Sequence, residues 1–200
     1  MIDRASVGKV LRETLSEKRL AHVLGCVQAA KELAPGFGAD VEKAGDAALL
    51  HDITREISHD DQLKLCAKYG IMIDADTAAD TALLHAFTGA EVARERFGVE
   101  EDIAEAIRCH TTGKAGMSPL DMTLCLADYI EPTRKFKKVD TLRALAKKNP
   151  RAALLRAFDG TIVHIVRDDG LLHPLTVIAR NDLLARILRE EPGVLSLKKE

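Results

Sequence analysis

Tryptophan is missing from this 200-residue chain, and it holds only two tyrosines and five phenylalanines. Such scarcity speaks against the aromatic platforms on which single-stranded RNA or DNA usually stacks. No apolar run is long enough to span a bilayer, and the N-terminus lacks the charged-then-apolar pattern of a secretory signal. Neither sign of charge dominates: 29 basic minus 31 acidic side chains leaves −2, which recommends no nucleic-acid or membrane partner. Cysteines are few, and Cys26, Cys66, Cys109 and Cys125 form no C-x-x-C pair. The expectation is a cytoplasmic protein with reduced thiols that mostly fill the core. Cys109 adjoins a histidine but should turn away from it on a helix.

Strand-type alternation is nearly absent too, whereas helical punctuation recurs. Val7, Val10, Leu11 and Leu15 make an amphipathic stripe, and Ser16 is placed to cap a second helix, which Pro35-Gly36 should stop. Asp40 caps the next. Ser58 and Asp61 have capping-box spacing, as do Ser118 and Asp121 around Pro119. Asn149-Pro150 opens a further helix, closed by Asp169-Gly170, and a last one runs from Pro174 towards Arg189. No repeat or low-complexity linker divides the chain. The pattern predicts one all-α domain over residues 1–191, with 192–200 as a frayed tail.

One apolar helical run, Ala47-Ala48-Leu49-Leu50, ends in His51-Asp52. Mid-helix, such neighbours diverge by roughly 100°, but at a helix end the backbone can swing both towards one point. A buried carboxylate beside an imidazole is costly unless a cation or hydrogen bonds compensate it, and a transition metal does so economically. Other polar residues share apolar helix faces. His22 borders the stripe of Leu20, Val23, Leu24 and Val27, and His85 follows Leu83-Leu84. His110 continues the line of Ile103 and Ile107, and Asp128 that of Leu120 and Leu124. A lone inward histidine is usually satisfied by a backbone carbonyl. Several together with two acids point to a metal site. His59 and His164 belong to no such pattern.

The order H…HD…H…H…D resembles the HD-domain metal-dependent phosphohydrolases, whose fold is a single all-α helical bundle. The local wording is closer still to one subfamily, the YqeK-type symmetrical bis(5'-nucleosyl)-tetraphosphatases. The shared pieces begin with Arg19-Leu20-Ala21-His22, Ala47 to Arg55, and Leu84 to Ala90. They continue through Ala106 to Gly113, Leu126 to Arg134, and His173-Pro174-Leu175-Thr176, so the likeness covers nearly the whole chain.

That resemblance implies hydrolysis of diadenosine tetraphosphate to two ADP. It implies His22, His51, Asp52 and Asp128 as metal ligands, with iron the usual metal; the mixed donor set would also suit manganese, cobalt or zinc. His85 and His110 either hold a second ion through Asp52 or contact phosphate directly. Asp52 would also orient the nucleophile, so Asp52, Arg55, His85 and His110 are the catalytic expectation. Arg19, Arg55 and Arg134 accompany ligand motifs and are expected to grip phosphate, as a guanidinium can hold two oxygens at once. Thr111, Thr112 and Gly113 could add donors, with Lys114 assisting. His173, Pro174, Leu175 and Thr176 open the last helix, where free N–H groups suit an anion, and the resemblance has this segment close over the nucleotide. Rival readings are another HD-type phosphohydrolase, such as a nucleotidase or signalling-nucleotide hydrolase, and a nucleotide sensor without turnover. A homodimer is left open.

Overall fold

A computed structural model describes residues 2–74, 77, 78, 80–191 and 193. Among these there is no strand, and ten helices follow one another. They are α1 (Arg4–Thr14), α2 (Glu17–Phe37), α3 (Val41–Leu50), α4 (His59–Tyr69), α5 (Thr81–Phe97), α6 (Glu101–Cys109), α7 (Pro119–Ile130), α8 (Val139–Lys148), α9 (Pro150–Arg167) and α10 (Pro174–Glu190). Apart from Gly193, the tail expected over 192–200 lies outside the described residues.

The most apolar helix sits at the centre. Leu120, Met122, Leu124, Cys125, Leu126, Ala127 and Ile130 of α7 are all buried, so it has almost no solvent face. Helices α2, α3 and α6 pack around it, and α9 covers another side. Helix α5 lies on α6, while α10 lies on α9. Among the described residues, no helix is long and apolar enough to cross a membrane.

Most helix starts follow their expected caps. Ser16 accepts from Arg19 N–H, Asp40 from the Glu42 and Lys43 N–H groups, and Asn149 from Ala152 N–H. Ser118 and Asp121 form a reciprocal capping box, with Pro119 at the first helical position. At Ser58 only half of the box forms, because Asp61 receives the Ser58 hydroxyl rather than its backbone N–H.

The expected stop at Pro35-Gly36 is overturned. Helix α2 runs through both residues to Phe37 and ends at Gly38, whose φ of 77° is left-handed. Gly38 N–H then reaches the Ala34 and Pro35 carbonyls, and Ala39 N–H the Ala34 carbonyl at 2.9 Å. Proline removes one amide donor near the end of a long helix, whereas the extra turn buries Phe37 and closes on a glycine suited to that conformation. The helix therefore continues until the glycine that can terminate it.

Candidate metal centre

Five elements deliver the polar side chains to one point. Helix α2 presents His22, the turn after α3 presents His51 and Asp52, and α5 presents His85. The residue after α6 is His110, and α7 presents Asp128. His22 Nε2 lies 3.0 Å from Asp128 Oδ1 and 3.5 Å from Asp52 Oδ2. His51 Nε2 lies 3.4 Å from Asp52 Oδ2 and 3.9 Å from Asp128 Oδ1. His85 Nε2 is 3.2 Å from Asp52 Oδ1 and 3.1 Å from His110 Nε2. The rings are buried, and so is Asp52.

Their outer nitrogens decide what the inner ones can do. His51 Nδ1 lies 2.7 Å from the Ala48 carbonyl, and His110 Nδ1 lies 2.7 Å from the Ile107 carbonyl. A carbonyl only accepts, so both Nδ1 atoms carry hydrogen. His22 Nδ1 is likewise 3.1 Å from Glu131 Oε1. In the neutral rings each Nε2 therefore offers a lone pair, and the Nε2 atoms of His22 and His51 face each other at 3.4 Å. Two lone pairs and two carboxylates aimed at one spot repel unless a cation stands among them. The donor set fits a transition metal, with outer partners of the kind that orient metal-ligating histidines.

Titration tells the same story. Burial opposes charge on His22, but the hydrogen bond to Asp128 outweighs it and raises the imidazole to about 10. Burial and the neighbouring His85 and His51 push His110 down to about 3. Burial works against ionised Asp52 and Asp128, yet the surrounding imidazoles, and Arg134 beside Asp128, hold both carboxyls well below their ordinary range. The neighbouring carboxylates favour a proton on His51 as well, so a proton held among these groups stands where a metal ion would, and metal uptake would release it.

A supporting shell holds these side chains. The fully buried Glu131, in the turn after α7, reaches His22 only because residue 25 is glycine: a Cβ there would stand 2.4 Å from Glu131 Oε2. Thr54, two residues after Asp52, donates to the His85 carbonyl at 3.0 Å and meets the Thr88 hydroxyl at 2.9 Å. Gln62, also buried, donates to the Thr54 carbonyl at 3.3 Å, tying α4 and α5 to the His51–Asp52 turn. Cys26 lies one turn beyond His22, and its Sγ is 3.5 Å from His22 Nε2. Its Sγ and donor atoms of His22, His51 and Asp128 all lie within 4.8 Å of one another. Cys26 is thus a donor beside the centre as well as core filling, whereas Cys109 has no contact with it and points to the Ala106 carbonyl.

The cluster opens into a cleft of about 240 Å³ bordered by Arg19, Arg55, Thr111 and Arg134, with Asp52, His85, His110 and Asp128 at its inner side. Arg19 Nη1 bonds Asp52 Oδ2 at 2.9 Å, and Arg134 Nη2 bonds Asp128 Oδ1 at 2.6 Å. Arg55 has no acidic partner among the described residues. Thr111 Oγ1 and His85 Nδ1 are buried with no hydrogen-bond partner among the described residues, although both residues border the cleft.

Other expected contacts are engaged elsewhere. Lys114 pairs with Glu105 at 2.7 Å and Asp121 at 3.1 Å, outside the cleft lining. Thr112 Oγ1 donates to the Gly113 carbonyl. The N-terminus of α10 is not an open anion site: His173 Nδ1 accepts from Leu175 N–H, and the His173 carbonyl accepts from Thr176 N–H. The other face of the His173 ring meets Thr77 Oγ1 at 3.1 Å and Asp74 at 3.4 Å, so the histidine anchors the segment leading into α5. Pro174 begins the helix and Thr176 is buried; none of residues 173–176 borders the cleft. His59 contacts the Ala78 carbonyl and His164 sits beside Asp168, both outside the site.

Residues 19–133 match the family model described as HD domain. The chain is 35% identical to the symmetrical bis(5'-nucleosyl)-tetraphosphatase of Halalkalibacterium halodurans, covering 92% of this chain and 98% of that protein. It is 34% identical to the protein of the same name from Bacillus subtilis, covering 88% and 94%. A crystal structure from Clostridium acetobutylicum, titled a predicted HD superfamily hydrolase involved in NAD metabolism, superposes with a TM-score of 0.88. It is 37% identical, and the match covers 93% of this chain and 99% of that one.

Proposed function

The chain belongs to the HD-domain family, and from that premise we propose that it hydrolyses diadenosine tetraphosphate and related dinucleoside tetraphosphates symmetrically, giving two nucleoside diphosphates. Residues 1–191 act as one catalytic domain, in the cytoplasm. The reaction adds water across the central anhydride: one P–O bond forms, another breaks, and each half leaves as ADP. The observation that carries the reading is the convergence of the His22 and His51 Nε2 atoms with the Asp52 and Asp128 carboxylates, just behind a cleft rimmed by arginines.

His22, His51, Asp52 and Asp128 would hold the metal, which we take to be iron, with manganese, cobalt or zinc as substitutes. Bound there, a metal ion would make water more acidic and neutralise charge on the phosphoryl oxygens. The chain's own groups do the rest. Asp52, placed between His51 and His85, can accept a hydrogen bond from the attacking water and orient it. Arg55 and the remaining N–H groups of Arg19 and Arg134 face the negative charge of the polyphosphate. The unpartnered Thr111 hydroxyl supplies a further donor.

His85 differs from the other three imidazoles because its outer nitrogen has no anchoring partner. That contrast favours His85 as a phosphate contact over a ligand of a second ion, with His110 accepting a hydrogen bond from its Nε2.

Chromatography of the products, with elemental analysis of freshly purified protein, tests the reading. Two ADP per substrate and about one metal ion per chain are expected. ATP plus AMP, or free phosphate, would assign the chain to another phosphohydrolase chemistry. Metal and ADP bound without turnover would make it a sensor.

A further inference from the structure

A second depression, of about 870 Å³, lies between the end of α7, the loop leading into α8, and the faces of α8 and α9. It meets the metal cleft at Arg134, which borders both. Every strongly basic or acidic residue lining it is basic: Arg134, Lys137, Lys138, Arg156 and Arg167. Asp159 and Asp168 pair with Arg156, His164 and Arg167 from outside this lining, but Lys137 and Lys138 have no acidic partner among the described residues. For a chain of net charge −2, this concentration of cations is local rather than general.

The floor is suited to a ring. Tyr129 and Phe136 meet edge to face with centroids 5.1 Å apart, and 38% of Phe136 is exposed. Gly160 leaves room for the tyrosine, since a Cβ there would lie 2.9 Å from Tyr129 Oη. Lys138 has a φ of 73°, a conformation that a lysine seldom adopts, and it holds this at the entry to α8.

Building on the hydrolase reading above, we infer that this groove receives one nucleoside-diphosphate arm of the substrate. A symmetric tetraphosphate cleaved at its centre carries two phosphates and a nucleoside to either side of the metal. A cleft of about 240 Å³ has room for phosphates but not for both nucleosides. The groove begins at Arg134, beside Asp128, so an arm leaving the metal passes directly into it. Lys137 and Lys138 meet its phosphates, and the Tyr129–Phe136 corner offers aromatic surface to its base.

Steady-state kinetics on diadenosine tetraphosphate, with manganese-loaded wild type, Lys137→Glu/Lys138→Glu and Phe136→Ala, test the assignment. KM should rise on the order of tenfold in the double variant and less in Phe136→Ala, with kcat and metal content nearly unchanged. Irradiation of wild type with 8-azido-ADP should label the peptide carrying residues 129–138. An unchanged KM in both variants, or label confined to other peptides, overturns the groove while leaving the hydrolase reading intact. Should wild type sediment as a dimer and the variants as monomers with KM unchanged, the groove is a self-association face, which also overturns it. Wild type that does not cleave the compound at all overturns the hydrolase reading, and the groove's occupant with it.

Discussion

Polar side chains occur at two depths of one cleft, and they are kept there by different physics. At the floor, His22, His51, His110 and Asp52 are nearly sealed from solvent, and every inward lone pair or carboxylate oxygen carries negative charge or its partial equivalent. At the rim, Arg19, Arg55 and Arg134 remain partly exposed and cationic. The inward nitrogens and carboxylates of the floor repel one another until a proton or metal ion enters, whereas the rim cations are partly solvated, and Arg19 and Arg134 each pair with one floor carboxylate. The floor should therefore respond to substitution by losing metal, and the rim by losing substrate affinity.

The largest effect tests that division at its centre. Asp52→Ala removes the carboxylate that touches His22, His51 and His85 at once. Turnover should fall on the order of a thousandfold or more and bound metal should disappear, while circular dichroism keeps its helical signal. Wild-type activity in that variant would show that the floor is not the reaction centre. Next comes Glu131→Gln, which keeps the shape but removes the charge behind His22 Nδ1. Metal affinity should weaken roughly 10–100-fold, with kcat recovered at saturating metal. Titration calorimetry reads the affinity, and an unaltered value would leave Glu131 a purely structural residue.

Glu131 also marks what was hard to read in the chain. The inward polar residues themselves were legible because His22, His110 and Asp128 sit in register with leucines and isoleucines, and helical periodicity carries them inward. The all-α class was legible for the same reason, since the caps and proline starts are local. Glu131 lies just past the end of α7, where no periodicity applies, and an acidic residue beside Pro132 looks like a solvated turn. Its clue is Gly25, whose meaning appears only when α2 and that turn come within contact. Cys26 had a usable signal in its spacing of four from His22. Gln62 had none, for its burial arises from α4 packing on α5. The groove behind Arg134 was equally hidden, because Lys137, Lys138, Arg156 and Arg167 converge only through the turn between α8 and α9.

At the rim the effects should be smaller and of another type. Arg55→Ala removes a cation that faces the cleft without an acidic partner among the described residues. Substrate binding should weaken by about 1.5–3 kcal/mol, seen as a higher KM with metal content unchanged. If metal is lost instead, floor and rim are not separable and the comparison fails.

The smallest effect concerns a cation that belongs to neither depth. Lys114 follows the His110–Gly113 segment closely enough in sequence to suggest phosphate contact, but its ammonium is held between Glu105 and Asp121. Asp121 has a second role, accepting from Ser118 N–H at 2.9 Å in the cap of α7, so it does not depend on Lys114 alone. Lys114→Met should leave KM, kcat and metal content at wild-type values. Its cost should appear in thermal unfolding alone, at about 1–2 kcal/mol, because Lys114 and Glu105 are partly solvated but Asp121 is buried and loses one partner. A rise in KM comparable to that of Arg55→Ala would mean that Lys114 exchanges its acidic partners for phosphate on binding. The rim would then include residues that the free protein keeps turned away.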